Sequence, residues 1–384
     1  MRELGIYIHI PFCKKKCDYC DFVSYAKKNG MIEKYIDSII KEIDYISSEI
    51  QREEFNITTI YIGGGTPSYV EPKFIRDILE QLKKKLENRI KQNAIEVTIE
   101  INPGTVNKEK LIEYKDMGIN RISIGLQSTK DDLLKSIGRI HTFEEFLEVY
   151  NLSRNIGFNN INIDIMLGLP GQTLDDIYIT NDIILKLKPE HISVYSLIVE
   201  EGTLLYKKVQ NGLAILPNVD IERDMYWKMK KSLEENEYKH YEISNFAKPG
   251  YESKHNMNCW KQKEYIGVGV AAHSYWNNTR FSNISNLEKY IENINNNNFS
   301  KNKIIHEIQN ERSKMKEYVM IGLRKLDGVS ISEFFKVFNE DLIKIFEKEI
   351  DKLIKLNLIE VKENTIKLTN KGLDFANLVW EEFV

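Results

Sequence analysis

Through its first 200 residues the chain alternates short β-branched runs with longer amphipathic stretches, and that alternation limits what it can fold into. The runs are residues 5–10, 58–62, 96–101, 121–126, 160–167 and 191–197. Each has the length and composition of a buried strand. Between the first two, residues 31–50 place Ile32, Tyr35, Ile36, Ile39, Ile40 and Ile43 on one helical face. Residues 72–86, 108–117, 143–156 and 173–187 read as further helices. "MGIN" at 117–120 and "IGFN" at 156–159 each place a glycine where a helix stops before a strand. Six strand–helix units in succession predict an α/β fold with a parallel sheet and helices outside it. Such units form either an open doubly wound sheet or a partial (β/α)6 TIM-like barrel. The barrel is favoured because the chemistry-bearing segments all follow strands: "CKKKCDYC", "GGGTPS", Glu100, Gln127, "GLPGQT" and "SLIVEEG" would crowd onto one barrel face.

Beyond residue 200 the alternation stops. The reading divides the chain into a 1–240 core, a 241–290 barrel extension, an Asn-rich linker over 291–304 and a small helical domain over 305–384. The last ends in a hairpin turning at Glu363-Asn364 and a helix, an order like that of a winged helix. With 54 Lys and Arg against 57 Asp and Glu, no global basic surface points to nucleic acid. A DNA-binding regulator is further disfavoured by the lack of a basic recognition helix. No apolar run is long enough to span a bilayer, and the start, "MRELGIYIHIPFC", has no leader character. A cytoplasmic protein is expected, reaching membranes only through its partners.

Four cysteines in 384 residues do not make a disulfide scaffold, and their clustering favours metal or redox chemistry. Cys13, Cys17 and Cys20 lie on one short loop in a C-x3-C-x2-C spacing. A closed zinc site needs four ligands, usually two paired hooks. No second hook exists, although His9 on the first strand is a possible fourth ligand. Three thiolates on a tight loop better suit three corners of an iron–sulfur cubane whose fourth iron stays open. A redox or structural trio is the remaining alternative.

"CKKKCDYC", followed about forty residues later by "GGGTP" and set in βα repeats, resembles the signature of radical S-adenosylmethionine (SAM) enzymes. That resemblance implies a [4Fe–4S] cluster on Cys13, Cys17 and Cys20 whose open iron chelates SAM, and cleavage of SAM to a deoxyadenosyl radical. Chemically, Gly63, Gly64 and Gly65 can bring backbone N–H groups to a carboxylate, with the Thr66 hydroxyl beside them. Glu100 can accept from an ammonium, Arg139 can pair with a carboxylate, and Asp164 can take ribose hydroxyls.

The ordered set "IYIHIPFCKKKCDYCDF", "YIGGGTPS", "TIEINPGT", "RISIGLQS", "NIDIMLGLPGQT", "HNMNCW" and "GVGVAAHSY" narrows the likeness. It resembles the family of the oxygen-independent coproporphyrinogen III oxidase HemN and its relative, the heme chaperone HemW. By position, Tyr7, Tyr19, Gly64, Gly65, Thr66, Glu100, Gln127, Arg139, Asp164 and Ile198 would line the SAM site, with a residue near Ala272 or His273. The oxidase has a further cysteine where this chain has Phe22, and a long extension where twelve residues precede Cys13. Both departures point to the chaperone side. HemW-like proteins carry H-N-x-x-Y-W, associated with heme; here His255, Asn256 and Trp260 match and Cys259 replaces the tyrosine. His255 is read as an axial heme ligand or as a hydrogen-bonded core histidine, and Cys259 as a buried structural thiol or a thiolate near heme. The resemblance thus implies heme as cargo and heme-accepting proteins, membrane-bound respiratory enzymes among them, as partners. The catalytic residue and the oligomeric state stay open, and coproporphyrinogen oxidase activity is the alternative.

Overall fold

The computed structural model describes residues 2–90 and 95–384. Six parallel strands follow one another in order: β1 (Arg2–Ile10), β2 (Phe55–Gly64), β3 (Glu96–Ile101), β4 (Arg121–Gln127), β5 (Ile161–Leu167) and β6 (His191–Ser196). Antiparallel β7 (Lys239–Glu242) and β8 (Asn245–Ala247) extend the β6 side. On the other side β9 (Glu264–Val268) lies parallel to β1, followed by antiparallel β10 (His273–Trp276), β11 (Thr279–Asn283) and β12 (Lys303–Ile308). The sheet ends at β12 and β7, so the barrel is partial, as its six units predict.

Each strand divides its residues between two faces. Ile6, Ile8, Ile60, Ile62, Ile99, Ile122, Ile124, Ile161, Ile163 and Ile192 join one apolar core with the surrounding helices. The alternate positions are polar: Tyr7 and His9, Tyr61, Thr98 and Glu100, Arg121 and Ser123, Asn162 and Asp164, His191 and Ser193. The sheet thus has an oily outside and a polar inside. The helix Ile32–Ile50 buries Tyr35, Ile36, Ile39 and Ile43, each apolar side chain contributing about 1.5–3 kcal/mol.

Local signals explain the helix ends. Thr142 with Glu145 and Thr173 with Asp176 form capping boxes, and Gly157 ends its helix at φ +97°, a left-handed conformation that favours glycine. The Asn-rich 291–304 segment differs from the expected linker. It contains the end of the helix Leu287–Asn295 and a 3-10 turn, Phe299–Asn302. Asn293 donates to Asn302 at 2.8 Å, and Asn302 to the Tyr290 carbonyl at 3.2 Å. Asn293 and Asn302 are buried and bonded to each other, while Asn295, Asn296 and Asn297 face water.

The carboxy-terminal helices enclose a second core around Val319, Phe334, Phe346, Ile366 and Phe383. The expected hairpin is present, Ile359–Lys362 with Thr365–Leu368. Among the described residues no helix is long and apolar enough to cross a membrane.

Candidate cofactor site

The cysteine loop leaves β1 at its carboxyl end and is stitched to the glycine loop after β2. Gly65 N–H donates to the Ile10 carbonyl at 2.9 Å, and Thr66 N–H to that of Phe12 at 2.9 Å. The Thr66 hydroxyl donates to Cys13 Sγ at 3.4 Å. A β-carbon on Gly65 would stand 3.0 Å from Cys13 Sγ, and one on Gly64, at φ +116°, 2.6 Å from the His9 ring. Both glycines are needed for this close approach. The far side of the loop is anchored by Asp18, whose N–H donates to the Ile137 carbonyl at 3.0 Å and whose carboxylate pairs with Lys208 at 2.5 Å. Burial raises the Cys13 thiol and pushes Cys20 up to about 11, so a bound metal would be what holds them as thiolates. Phe22, 65% exposed, rims the loop.

Four more predicted residues surround the cysteine loop: Glu100, Asp164 and Gln127 from neighbouring strands and Arg139 from the loop after the helix Asp131–Ser136. Glu100 accepts from Tyr61 Oη at 2.8 Å and from Gly64 N–H at 3.2 Å. Burial lifts its carboxyl to about 7; the two donors oppose this rise and the Asp164 charge adds to it. Asp164 accepts from Asn162 Nδ2 at 2.7 Å and from Ser123 Oγ at 3.3 Å. Arg139 donates to the Gly125 carbonyl at 2.6 Å and reaches Cys17 Sγ at 3.8 Å, while its buried Nε has no partner. Gln127 sits at φ +70° on a β4 bulge; a β-carbon on Gly125 would meet both its amide and Arg139. Tyr7 donates to or accepts from His9 Nδ1 at 2.9 Å and stacks on Tyr61. Tyr19 packs against Leu133, Ile137, Met166, Leu169 and Leu197. Ile198 is 68% exposed beyond β6. Ala272 is buried and His273 exposed at the start of β10. The sequence reading missed Tyr61, Ser123 and Asn162; their signal was a polar residue at every second position of an otherwise apolar strand.

His255 does not join this group. It lies on the helix Lys254–Trp260, whose Lys254 and His255 N–H groups both donate to Glu96 at 3.2 Å. Its Nδ1 bonds Thr59 Oγ1 at 2.9 Å, and its ring lies 5.1 Å from that of Tyr61. Glu96 is the first residue of β3 and Glu100 lies toward its end, about 13 Å further along at strand rise. His255 therefore closes the amino end of the barrel, opposite the cysteines, and is 7% exposed. Here the core-histidine alternative describes its surroundings. Burial pushes the Cys259 thiol on the same helix up to about 11.

Residues 7–183 match the Radical SAM superfamily and residues 310–375 the HemN C-terminal domain. The heme chaperone HemW of Lactococcus lactis is 35% identical over 378 residues, covering 98% of this chain and 96% of the relative. That of Bacillus subtilis is 36% identical, covering 98% of each. The chain belongs to the HemW family of radical SAM proteins. The oxidase HemN of Escherichia coli shares its fold, with a TM-score of 0.87 at 22% identity, over all of this chain and 90% of that one.

The HemW scaffold fits the groups that a radical SAM protein carries. Among the described residues no three His, Cys, Asp or Glu side chains converge on a point as ligands of a single metal ion do. A cubane instead takes its thiolates at separate corners. Beside Cys13 the glycines leave a cradle that a β-carbon would fill, and the unpartnered Arg139 Nε is a donor without an acceptor.

Proposed function

We propose that this HemW-family chain binds heme and passes it to heme-requiring proteins, on a scaffold that holds a [4Fe–4S] cluster and SAM. The observation that carries the reading is full-length identity of 35–36% to curated HemW chaperones, covering 96–98% of their length. Cluster and SAM, when bound, supply one-electron chemistry at the barrel mouth. The chain's own residues do the holding. Cys13, Cys17 and Cys20 take the cluster. Gly64 and Gly65, lacking side chains, leave the cradle that would receive SAM's amino-acid end, and Thr66 ties that cradle to Cys13. Glu100 accepts its ammonium, Asp164 its ribose hydroxyls, and Arg139 and Gln127 close the far wall with Tyr7, Tyr19 and Ile198. Only ionised Glu100 pairs its charge with an ammonium, so SAM binding favours release of its proton to solvent. Tyr61 and Gly64 hold one carboxylate oxygen each and so fix how the group is presented.

The recipients in this reading are cytoplasm-facing heme enzymes, including membrane-bound respiratory ones that the chaperone meets at the membrane surface. The test is a hemin titration of anaerobically reconstituted protein, followed by transfer to a heme-free acceptor. Stoichiometric binding, with no decarboxylation of coproporphyrinogen III in the presence of SAM and a reductant, is the expected result. Protoporphyrinogen IX production without heme binding would assign the chain to the oxidase side instead.

A further inference from the structure

The sheet beyond β1 carries a histidine pair that the SAM site does not use. His273 on β10 and His306 on β12 stack with ring centroids 5.3 Å apart and planes 11° from parallel. Both residues are exposed. Register places them on the barrel's inner face. Tyr7 is level with Gly267 in β1 and β9, and Tyr265 with Tyr275 in β9 and β10. His273, two residues from Tyr275, shares that face and pairs across β11 with Ser282. Ser282 Oγ in turn bonds His306 Nε2 at 2.8 Å. β10 runs antiparallel to β9 and begins at His273, so that residue lies at the carboxyl end of the parallel strands. The pair thus stands beside the barrel mouth, on the same side as the cysteine loop.

The two histidines are held differently. His306 is fixed by Ser282 and by its place on the edge strand. His273 has the ring stack but no hydrogen bond at either nitrogen among the described residues. Partial burial, then the nearby His306 and Arg280, lower its proton affinity below the usual imidazole value, so it is neutral at pH 7. A neutral, exposed imidazole keeps a lone pair free for an open metal coordination position, and the stacked His306 ring braces it. Ile304 on β12, level with Ser282 and 44% exposed, offers apolar surface beside it for the edge of a flat macrocycle.

We propose that His273 is the axial ligand of heme iron in this chain, with His306 as its positioning partner, and that the buried His255 is not. Ligation donates a lone pair of the neutral ring to iron and displaces a weakly held axial water, without change of oxidation state. The inference rests on the heme-binding reading above. It would set the heme next to the SAM site rather than across the barrel from it.

The test is a hemin titration of the full chain followed by the Soret band, for wild type, His273→Ala, His306→Ala and His255→Ala. His273→Ala should shift the Soret maximum and weaken binding on the order of 10–100-fold. His306→Ala should weaken it less and keep the wild-type maximum. His255→Ala should lose thermal stability while any folded fraction keeps the wild-type spectrum, and the milder His255→Gln serves if the alanine variant does not fold. Imidazole added to His273→Ala should restore the wild-type band. A wild-type band in His273→Ala, or a shifted band in His255→Gln, overturns the assignment while the heme-binding reading stands. Absence of any hemin binding by the wild-type chain overturns both.

Discussion

At the amino end of the barrel the polar side chains satisfy one another. His191 bonds Asn162 at 2.6 Å and Tyr241 at 2.7 Å, Tyr241 accepts from Ser253 N–H, and Glu96 caps the helix that carries His255. Outside that chain of bonds, Arg121 Nε, Thr98 Oγ1, Asn160 Oδ1 at the foot of β5 and Trp260 Nε1 on the helix are without partners. At the carboxyl end, about 13 Å away, Glu100 is buried with a proton affinity raised to about 7, the Cys13 and Cys20 thiols are raised by burial, and Arg139 keeps a donor idle. Both ends are polar and enclosed by the same strands. A closed hydrogen-bond network locks an architecture, whereas a strained, under-bonded set is completed by a ligand. The difference explains why a motif associated with heme can lie at the structural end while the ligand-binding end stands elsewhere.

The largest separation is expected from the cysteines. Cys13→Ala, Cys17→Ala or Cys20→Ala should abolish the visible iron–sulfur absorbance after reconstitution and leave the far-UV circular dichroism unchanged. Loss of fold in all three variants would erase the contrast between the two ends.

At the other end, Glu96→Ala removes the acceptor of the buried His255 N–H and the part-buried Lys254 N–H and should cost about 1–3 kcal/mol of stability. SAM affinity of the folded protein should be unchanged, as denaturant melts and calorimetry would show. A destabilisation below 0.5 kcal/mol, the range of an ordinary surface change, would mean the plug is not held as described.

Glu100→Gln should weaken SAM binding by about 1.5–3 kcal/mol, the scale of a charged hydrogen bond. The wild-type carboxyl is protonated below about 7, so SAM affinity should rise as pH increases from 6 to 8, and the Gln variant should lose that rise. In the ligand-free protein the sign is opposite. A carboxyl raised in the folded state contributes stability that is fully present at acid pH and is lost as pH climbs through about 7. A pH-independent wild-type affinity would contradict the role given to Glu100.

The smallest effect belongs to Cys259. With its thiol pushed up to about 11, it should stay unreactive toward a thiol reagent at pH 7.5 while the native fold persists. Fast labelling in the native protein would open the amino end to ligand chemistry again.

Much of this contrast was legible in the sequence, and for identifiable reasons. The strands were readable because β-branched runs need sheet burial, and the cysteine and glycine loops because their spacing has few structural uses. Polar residues at every second position marked the inward face of those runs, but which of them meet was not readable. It follows from register, which set Tyr61 under Glu100 and Asn162 against His191. The Asn-rich stretch misled because composition suggests solvation, while Asn293 and Asn302 bond each other. His255 was identified by a motif, but which end of the barrel its helix closes depends on β3 beginning at Glu96, a long-range fact. His273 and His306 are far apart in sequence, and only the β10–β11–β12 meander brings their rings together.

In this arrangement ligands enter at the carboxyl end and the amino end is a plug. Hydrogen–deuterium exchange on reconstituted protein, with and without SAM, tests it most directly. SAM should protect residues 10–22, 63–66 and 125–127 and leave the helix Lys254–Trp260 at its ligand-free exchange rate. Protection concentrated in Lys254–Trp260, with the cysteine and glycine loops unchanged, would contradict it.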